Sequence, residues 1–324
     1  MINLISSKLA TIDLSALYKL TLICNTYNRD KFLARSAKYW SQFPLKVIYM
    51  DGSDLRSSVD FNNYINITYI NDTDSYSNRL IKAFNLCDTK YTCIIPDDEF
   101  FIPSALQQCI NFLDVHPDYV SCGGEALLFS IYKDTINLET VYPNLHRRHF
   151  RHTSPLFRLS QHFKKYEPSH YYSIHRTPIA KNVFNFIDKF RLSAANELFV
   201  ECLLPLHGKS INLPILFWLR SKEVLPIRSA GELCFDESLT FTNFWTSSTL
   251  ANQKSEFLRY ISSKSAGLIT LPQLEYCFDL FSLSNYQHPD PTENPISRFY
   301  DNDVAVDSAA LEYCLSIVKQ FWNI

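Results

Sequence analysis

A chain of 324 residues with 46% hydrophobic content has enough apolar surface for one large core and a smaller appendage. Its formal charge of -2 supplies no basic face, which removes nucleic acid from the expected partners. Six glycines, with neither G-x-G-x-x-G nor G-x-x-x-x-G-K-[ST], argue against a glycine-loop phosphate cradle, so metal and side chains must do much of the work of holding any phosphate. Nine cysteines run from Cys24 to Cys314 without a C-x-x-C pair, the pattern of buried thiols in a reducing compartment. The opening M-I-N-L-I-S-S-K-L-A-T-I-D lacks the charged start and unbroken apolar core of a signal peptide. No apolar run reaches the roughly 18 residues of a membrane span. A cytoplasmic protein is therefore expected, at most resting on the inner face of the membrane, and the N-x-T sequons at Asn66 and Asn71 read as chance.

In chain order, Leu20–Cys24 is a short apolar run expected to form a strand buried on both faces. It ends in the polar turn Asn25–Asp30, and a helix follows from about Lys31 to Ser41. Leu45–Met50 predicts a second strand, stopped by Asp51-Gly52-Ser53, and Ile65–Ile70 a third. Tyr76–Leu86 predicts a helix. Tyr91–Ile95 predicts a fourth strand, stopped by Pro96 and the acidic cluster Asp97-Asp98-Glu99. A helix is expected from Pro103 to about Val115, then strand, turn and strand over Tyr119–Tyr132 around Gly123-Gly124. Residues 142–171, rich in His, Arg and Pro, read as a long loop or lid. Ser193–Leu206 predicts a helix and Ile211–Leu219 a strand. Beyond Pro226 the pattern turns to helices alone, the last carrying Leu311, Cys314, Leu315, Val318, Phe321 and Trp322 at helical spacing.

Alternating strands and helices predict an α/β sheet with right-handed crossovers, whose ligands gather beyond the carboxyl ends of the strands. The polar groups at Asn25–Arg29, Asp51–Ser53 and Asp97–Glu99 all fall at that edge. Three adjacent carboxylates repel one another, and a divalent cation bridging to a diphosphate would relieve that repulsion. A solvated acidic turn capping the next helix would also explain them.

The run T-L-I-C-N-T-Y-N-R at Thr21–Arg29 resembles the opening strand and turn of the family 2 glycosyltransferases. V-I-Y-M-D-G-S at Val47–Ser53 resembles their second strand, and I-I-P-D-D-E-F-F-I-P at Ile94–Pro103 their aspartate-rich metal motif. The motifs stand in the family's order across roughly residues 19 to 220. The resemblance implies a GT-A-type, Rossmann-like mixed sheet flanked by helices over residues 1–225, with a helical C-terminal region over 226–324. It implies a nucleotide-diphosphate sugar as donor, bound by Thr26, Tyr27, Arg29, Asp51, Asn78, Arg79, Asp97 and Asp98. It also implies Mn²⁺ or Mg²⁺ held by Asp97, Asp98 and Glu99, with Glu99 departing from the usual Asp. The implied acceptor is a glycan or a lipid-linked hydroxyl, in surface polysaccharide synthesis.

Ala194-Ala195-Asn196-Glu197 resembles the family's E-D motif at a helix start, with Asn196 in place of its first acid. An inverting transferase needs a carboxylate to take the acceptor hydroxyl's proton. Glu197 is the first candidate, and Glu201, one turn on, the substitute. In the other reading Asn196 caps the helix and Glu197 complements its dipole. A histidine between His146 and His175 could complete the metal shell, and Arg147, Arg148 or Arg151 could hold a phosphate. A nucleotidyltransferase of similar fold is the rival enzyme, although N-T-Y-N-R-D-K lacks the glycines of its usual loop. A glycan-binding or scaffold protein with a vestigial pocket is the rival outside enzymes. The C-terminal helices could dock a partner subunit, the membrane surface or the acceptor.

Overall fold

The computed structural model describes residues 13–133, 135–187, 193–223, 245, 247–283 and 308–322. The first twelve residues and the expected change of character at Pro226 lie outside the described residues. A ten-stranded mixed sheet organises the chain in the order β3-β2-β1-β4-β9-β6-β10-β5, with β7 paired to β6 and β8 to β10. These strands are β1 (Leu20–Thr26), β2 (Lys46–Asp51), β3 (Ile67–Asn71), β4 (Tyr91–Ile94), β5 (Phe100–Phe101), β6 (Tyr119–Tyr132), β7 (Thr135–Val141), β8 (His149–Phe150), β9 (Ile174–Arg176) and β10 (Lys209–Ser221). Strands β1 to β4 are mutually parallel, so Thr26 and Asp51 end in register at one edge, where the chain leaving β4 also emerges. That is the ligand-binding edge of such a sheet.

The helices are α1 (Asp30–Trp40), α2 (Tyr76–Leu86), α3 (Pro103–Val115), α4 (Pro155–Lys164), α5 (Thr177–Phe184), α6 (Ser193–His207), α7 (Ala251–Lys264), α8 (Leu271–Leu283) and α9 (Ser308–Trp322). Successive side chains of a strand point to opposite faces. Leu22 and Cys24 thus join the core under α1, α3 and α9, while Ile23 joins the core under α2 and α4 to α8. Both faces of β1 and β2 are buried, which is why their sequences are nearly continuous apolar runs. The amides of both sequon asparagines are committed internally: Asn66 donates to the carbonyls of Trp40, Phe43 and Leu45, and Asn71 to those of Asp51 and Ser53.

Two sequence expectations are corrected. Tyr119–Tyr132 is one strand, not strand, turn and strand. Its glycines serve close packing: a Cβ at Gly124 would lie 2.7 Å from the Ile215 carbonyl, and one at Gly123 2.6 Å from the Ser173 hydroxyl. The ladder to β10 accommodates this with register shifts. Residues 142–171 are not one loop either, since they contain β8 and α4, with Leu159 and Phe163 in the core. A high density of His and Arg hid that helix; Arg158 and His162 lie on its buried side. The fold class itself is as expected. No described helix is long and apolar enough to cross a membrane, and the eight described cysteines are buried.

Candidate functional site

The turn after β1 bends through Asn28, whose left-handed φ of 52° suits an asparagine. The Asn28 amide donates to the Ser53 hydroxyl at 2.7 Å, and the Gly52 amide donates to the Thr26 carbonyl at 2.9 Å. The ends of β1 and β2 are thereby joined. Arg29 then turns onto the acidic cluster: its guanidinium reaches Asp97 Oδ1 at 3.0 Å and Asp98 Oδ2 at 2.6 Å. Thr26 donates its hydroxyl to Asp97 Oδ2 at 2.6 Å. Burial pushes the Asp97 carboxyl up to about 7 against the pull of Arg29, with the charge of Asp98 adding to the rise. Burial alone would lower the Arg29 guanidinium, but the two aspartates leave it above its ordinary value.

A cleft of about 250 Å³ opens beside this cluster. Thr26, Tyr27, Arg29, Arg79 and Asp97 line it, and so does Tyr172, which the motifs did not assign. Asp51 is buried and not among the lining residues, its carboxylate accepting from the Ser53 amide at 3.0 Å and hydroxyl at 2.5 Å, and from the Tyr69 hydroxyl at 2.7 Å. Asn78 is not among the lining residues; it donates to Asp74 and has its amide capped by Ser75. Arg79 donates to the Asp74 carbonyl at 2.7 Å, and its guanidinium lies across Gly52, where a Cβ would come within 1.9 Å of Nη1. Only a residue without a side chain leaves that space. Gly52→Ala is therefore expected to displace the flexible Arg79 while the fold survives. The thermal midpoint should stay within a few degrees of the parent, and loss of the cooperative transition would contradict this.

Glu99 is placed apart from the two aspartates. Its carboxyl faces β10, accepting from Trp218 Nε1 at 2.5 Å and more distantly from the Ser221 amide at 3.4 Å, with Arg220 at 4.0 Å. Burial, then the neighbouring Asp98 charge, pushes it well above the ordinary carboxylate range. Asp98 differs again: Oδ1 accepts no hydrogen bond among the described residues.

Helix α6 carries both remaining acids. Glu197 is partly buried and accepts from the Tyr166 hydroxyl at 3.2 Å. Burial and then the charge of Glu201 push it up to about 7, while Arg220 opposes the rise. Its charge acts in turn on Tyr172 of the cleft wall and on Arg220, while Glu197 itself is not among the lining residues. Asn196 is buried and donates to the Ser77 hydroxyl at 3.0 Å.

Glu201 is fully sealed in the wall behind. It accepts from the amides of His170 (2.8 Å) and Tyr171 (2.7 Å) and from His170 Nδ1 (2.9 Å). His162 Nε2 lies 2.9 Å from the same carboxylate, off the line of a good hydrogen bond. Among the described residues, His162, His170 and Glu201 are the one trio of potential metal-ligating side chains gathered closely enough. Burial holds both imidazoles neutral, down to about 3, and the Arg148 charge adds to this. The bonds from His170 Nδ1 and from the amides of His170 and Tyr171 make Glu201 a latch fixing the segment before Tyr172, with His162 beside it and neither of its ring nitrogens hydrogen-bonded among the described residues. Arg148 itself donates to the carbonyls of His162 and Lys165. Glu201→Ala should strand these donors and lower stability by about 3–5 kcal/mol in urea denaturation. A loss under about 1 kcal/mol would contradict the latch.

The chain matches no protein-family model and no curated protein. It is similar in structure to S. aureus TarS 1-349, with a TM-score of 0.53 and 14% identity, over 81% of this chain and 70% of that one. It is also similar to the same fragment in complex with UDP, with a TM-score of 0.52, 14% identity and the same coverage. The likeness is one of fold, and the fold is GT-A type.

Proposed function

We propose that this protein transfers a sugar from a nucleoside-diphosphate donor to a hydroxyl of a glycan or lipid-linked acceptor, in surface polysaccharide synthesis, with inversion at the anomeric carbon. One observation carries the reading. Arg29, Arg79 and Asp97 line a cleft at the carboxyl ends of parallel strands, Asp98 pairs with Arg29 beside it, and a third acid, Glu197, is close enough for its charge to act on Tyr172 in the cleft wall. The UDP held by the TarS fragment of like fold supports a uridine diphosphate as the nucleotide.

Arg29 and Arg79 meet the diphosphate charge, and Thr26 and Tyr27 line its approach. Glu197 takes the acceptor hydroxyl's proton as that oxygen bonds to the anomeric carbon and the bond from that carbon to the phosphate oxygen breaks. A carboxyl held at about 7 is suited to this task at neutral pH. Asp97 and Asp98 form an oxygen donor set that fits Mn²⁺ or Mg²⁺, with the uncommitted Oδ1 of Asp98 foremost; Glu99, turned onto Trp218, stands behind them. When bound, such an ion supplies positive charge against the negative charge growing on the leaving diphosphate. The product's anomeric configuration, read by NMR, tests the inversion: the anomer opposite to the donor's is expected, and retention would refute it.

A further inference from the structure

We propose that the last turn of α9 is a positioning element of the acidic site, acting through Phe321 on Arg35 and Arg29. The functional part of this inference rests on the reading of the cleft as a donor site. Arg35 donates to the main-chain carbonyl of Asp98 at 2.8 Å, so it fixes the backbone of the acidic turn. Glu223 grips the same guanidinium with both carboxylate oxygens, at 2.9 and 2.7 Å. Both side chains are almost sealed from solvent, at 1% and 3% exposure. A buried guanidinium is costly, and its Nε has no hydrogen-bond partner among the described residues. Three aromatic faces compensate: Phe32 at 4.9 Å, Phe100 at 5.1 Å and Phe321 at 4.7 Å.

Phe321 also packs on Phe32, at 5.4 Å between ring centres. Arg29, which bridges Asp97 and Asp98, stacks over Phe32 at 4.4 Å. One ring from the far end of the chain therefore supports both the cation on the acids and the cation under their backbone. Its neighbour Trp322 donates its indole N–H to Glu223. The helix is anchored elsewhere: Tyr313 stacks on Tyr39, Cys314 meets the Tyr39 hydroxyl at 3.1 Å, and Ile317 and Val318 are buried. The last turn can thus be altered without releasing the helix.

The test compares Phe321→Leu and Phe321→Tyr with the parent, in the full chain, by hydrogen exchange and by UDP binding with Mn²⁺ present. Leucine fills the space without offering a π face; tyrosine keeps the face. Phe321→Leu should speed exchange across residues 95–102 and weaken UDP about tenfold, with residues 308–318 unchanged. Phe321→Tyr should restore both. Unaltered exchange over 95–102 in Phe321→Leu, or tyrosine restoring no better than leucine, would overturn the proposal. If the parent binds no UDP the donor-site reading fails, while the exchange comparison still decides whether Phe321 positions the acidic turn.

Discussion

Glu197→Gln is expected to lower the transfer rate by about 10²- to 10⁴-fold while UDP binding stays within twofold of the parent, because the amide cannot accept the acceptor's proton. The substitution is nearly isosteric, and the hydrogen bond from Tyr166 can still be accepted by the amide oxygen. The pH dependence follows from the same group. A base works only when deprotonated, and burial with the Glu201 charge holds Glu197 up to about 7. The rate should therefore fall about tenfold per pH unit below 7 and level off above it. Removing the opposing charge with Arg220→Met should move that limb to higher pH. A profile flat from pH 5 to 8, or a Gln variant retaining a third of the parent rate, would remove Glu197 from the mechanism.

Asp98→Asn should produce the second large loss, at least about 100-fold in turnover, and should weaken both Mn²⁺ and UDP in calorimetry. Asp98 pairs with Arg29, which lines the cleft, and keeps an oxygen uncommitted among the described residues. Glu99→Gln is the informative contrast. Its carboxyl is spent on Trp218 and β10, so the amide should cost thermal stability more than Mn²⁺ affinity. Equal losses of Mn²⁺ affinity in the two variants would return Glu99 to the ligand set.

Much of the fold was legible because strands buried on both faces must be continuously apolar, and β1, β2 and β4 are. Their polar ends could then be assigned to one edge without knowing any side-chain direction. Direction is what the sequence withheld. Asp97, Asp98 and Glu99 are adjacent in the chain, yet the turn sends Glu99 to β10 and leaves the aspartates with Arg29. Arg35 carries no local mark of its role: it is buried against Glu223, 188 residues later. Glu201 reads as a spare base beside Glu197, but one helical turn separates a partly exposed acid from a fully sealed one. The β6 glycines read as a turn because their purpose, room for Phe217, Ile215 and Ser173, comes from other segments. Long-range partners of polar residues carry no local periodic signal, and that is where the reading stopped.

The central claim is that the cleft between Arg29, Arg79 and the aspartates holds a nucleoside-diphosphate sugar. Calorimetric titration of UDP-, GDP-, TDP- and CMP-sugars with and without Mn²⁺, into the parent, Asp98→Asn and Arg79→Ala, tests it most directly. The account predicts that one nucleotide class binds the parent, more tightly with Mn²⁺, and that each variant weakens it at least tenfold. Binding of none of these donors, or binding undiminished in both variants, would contradict it.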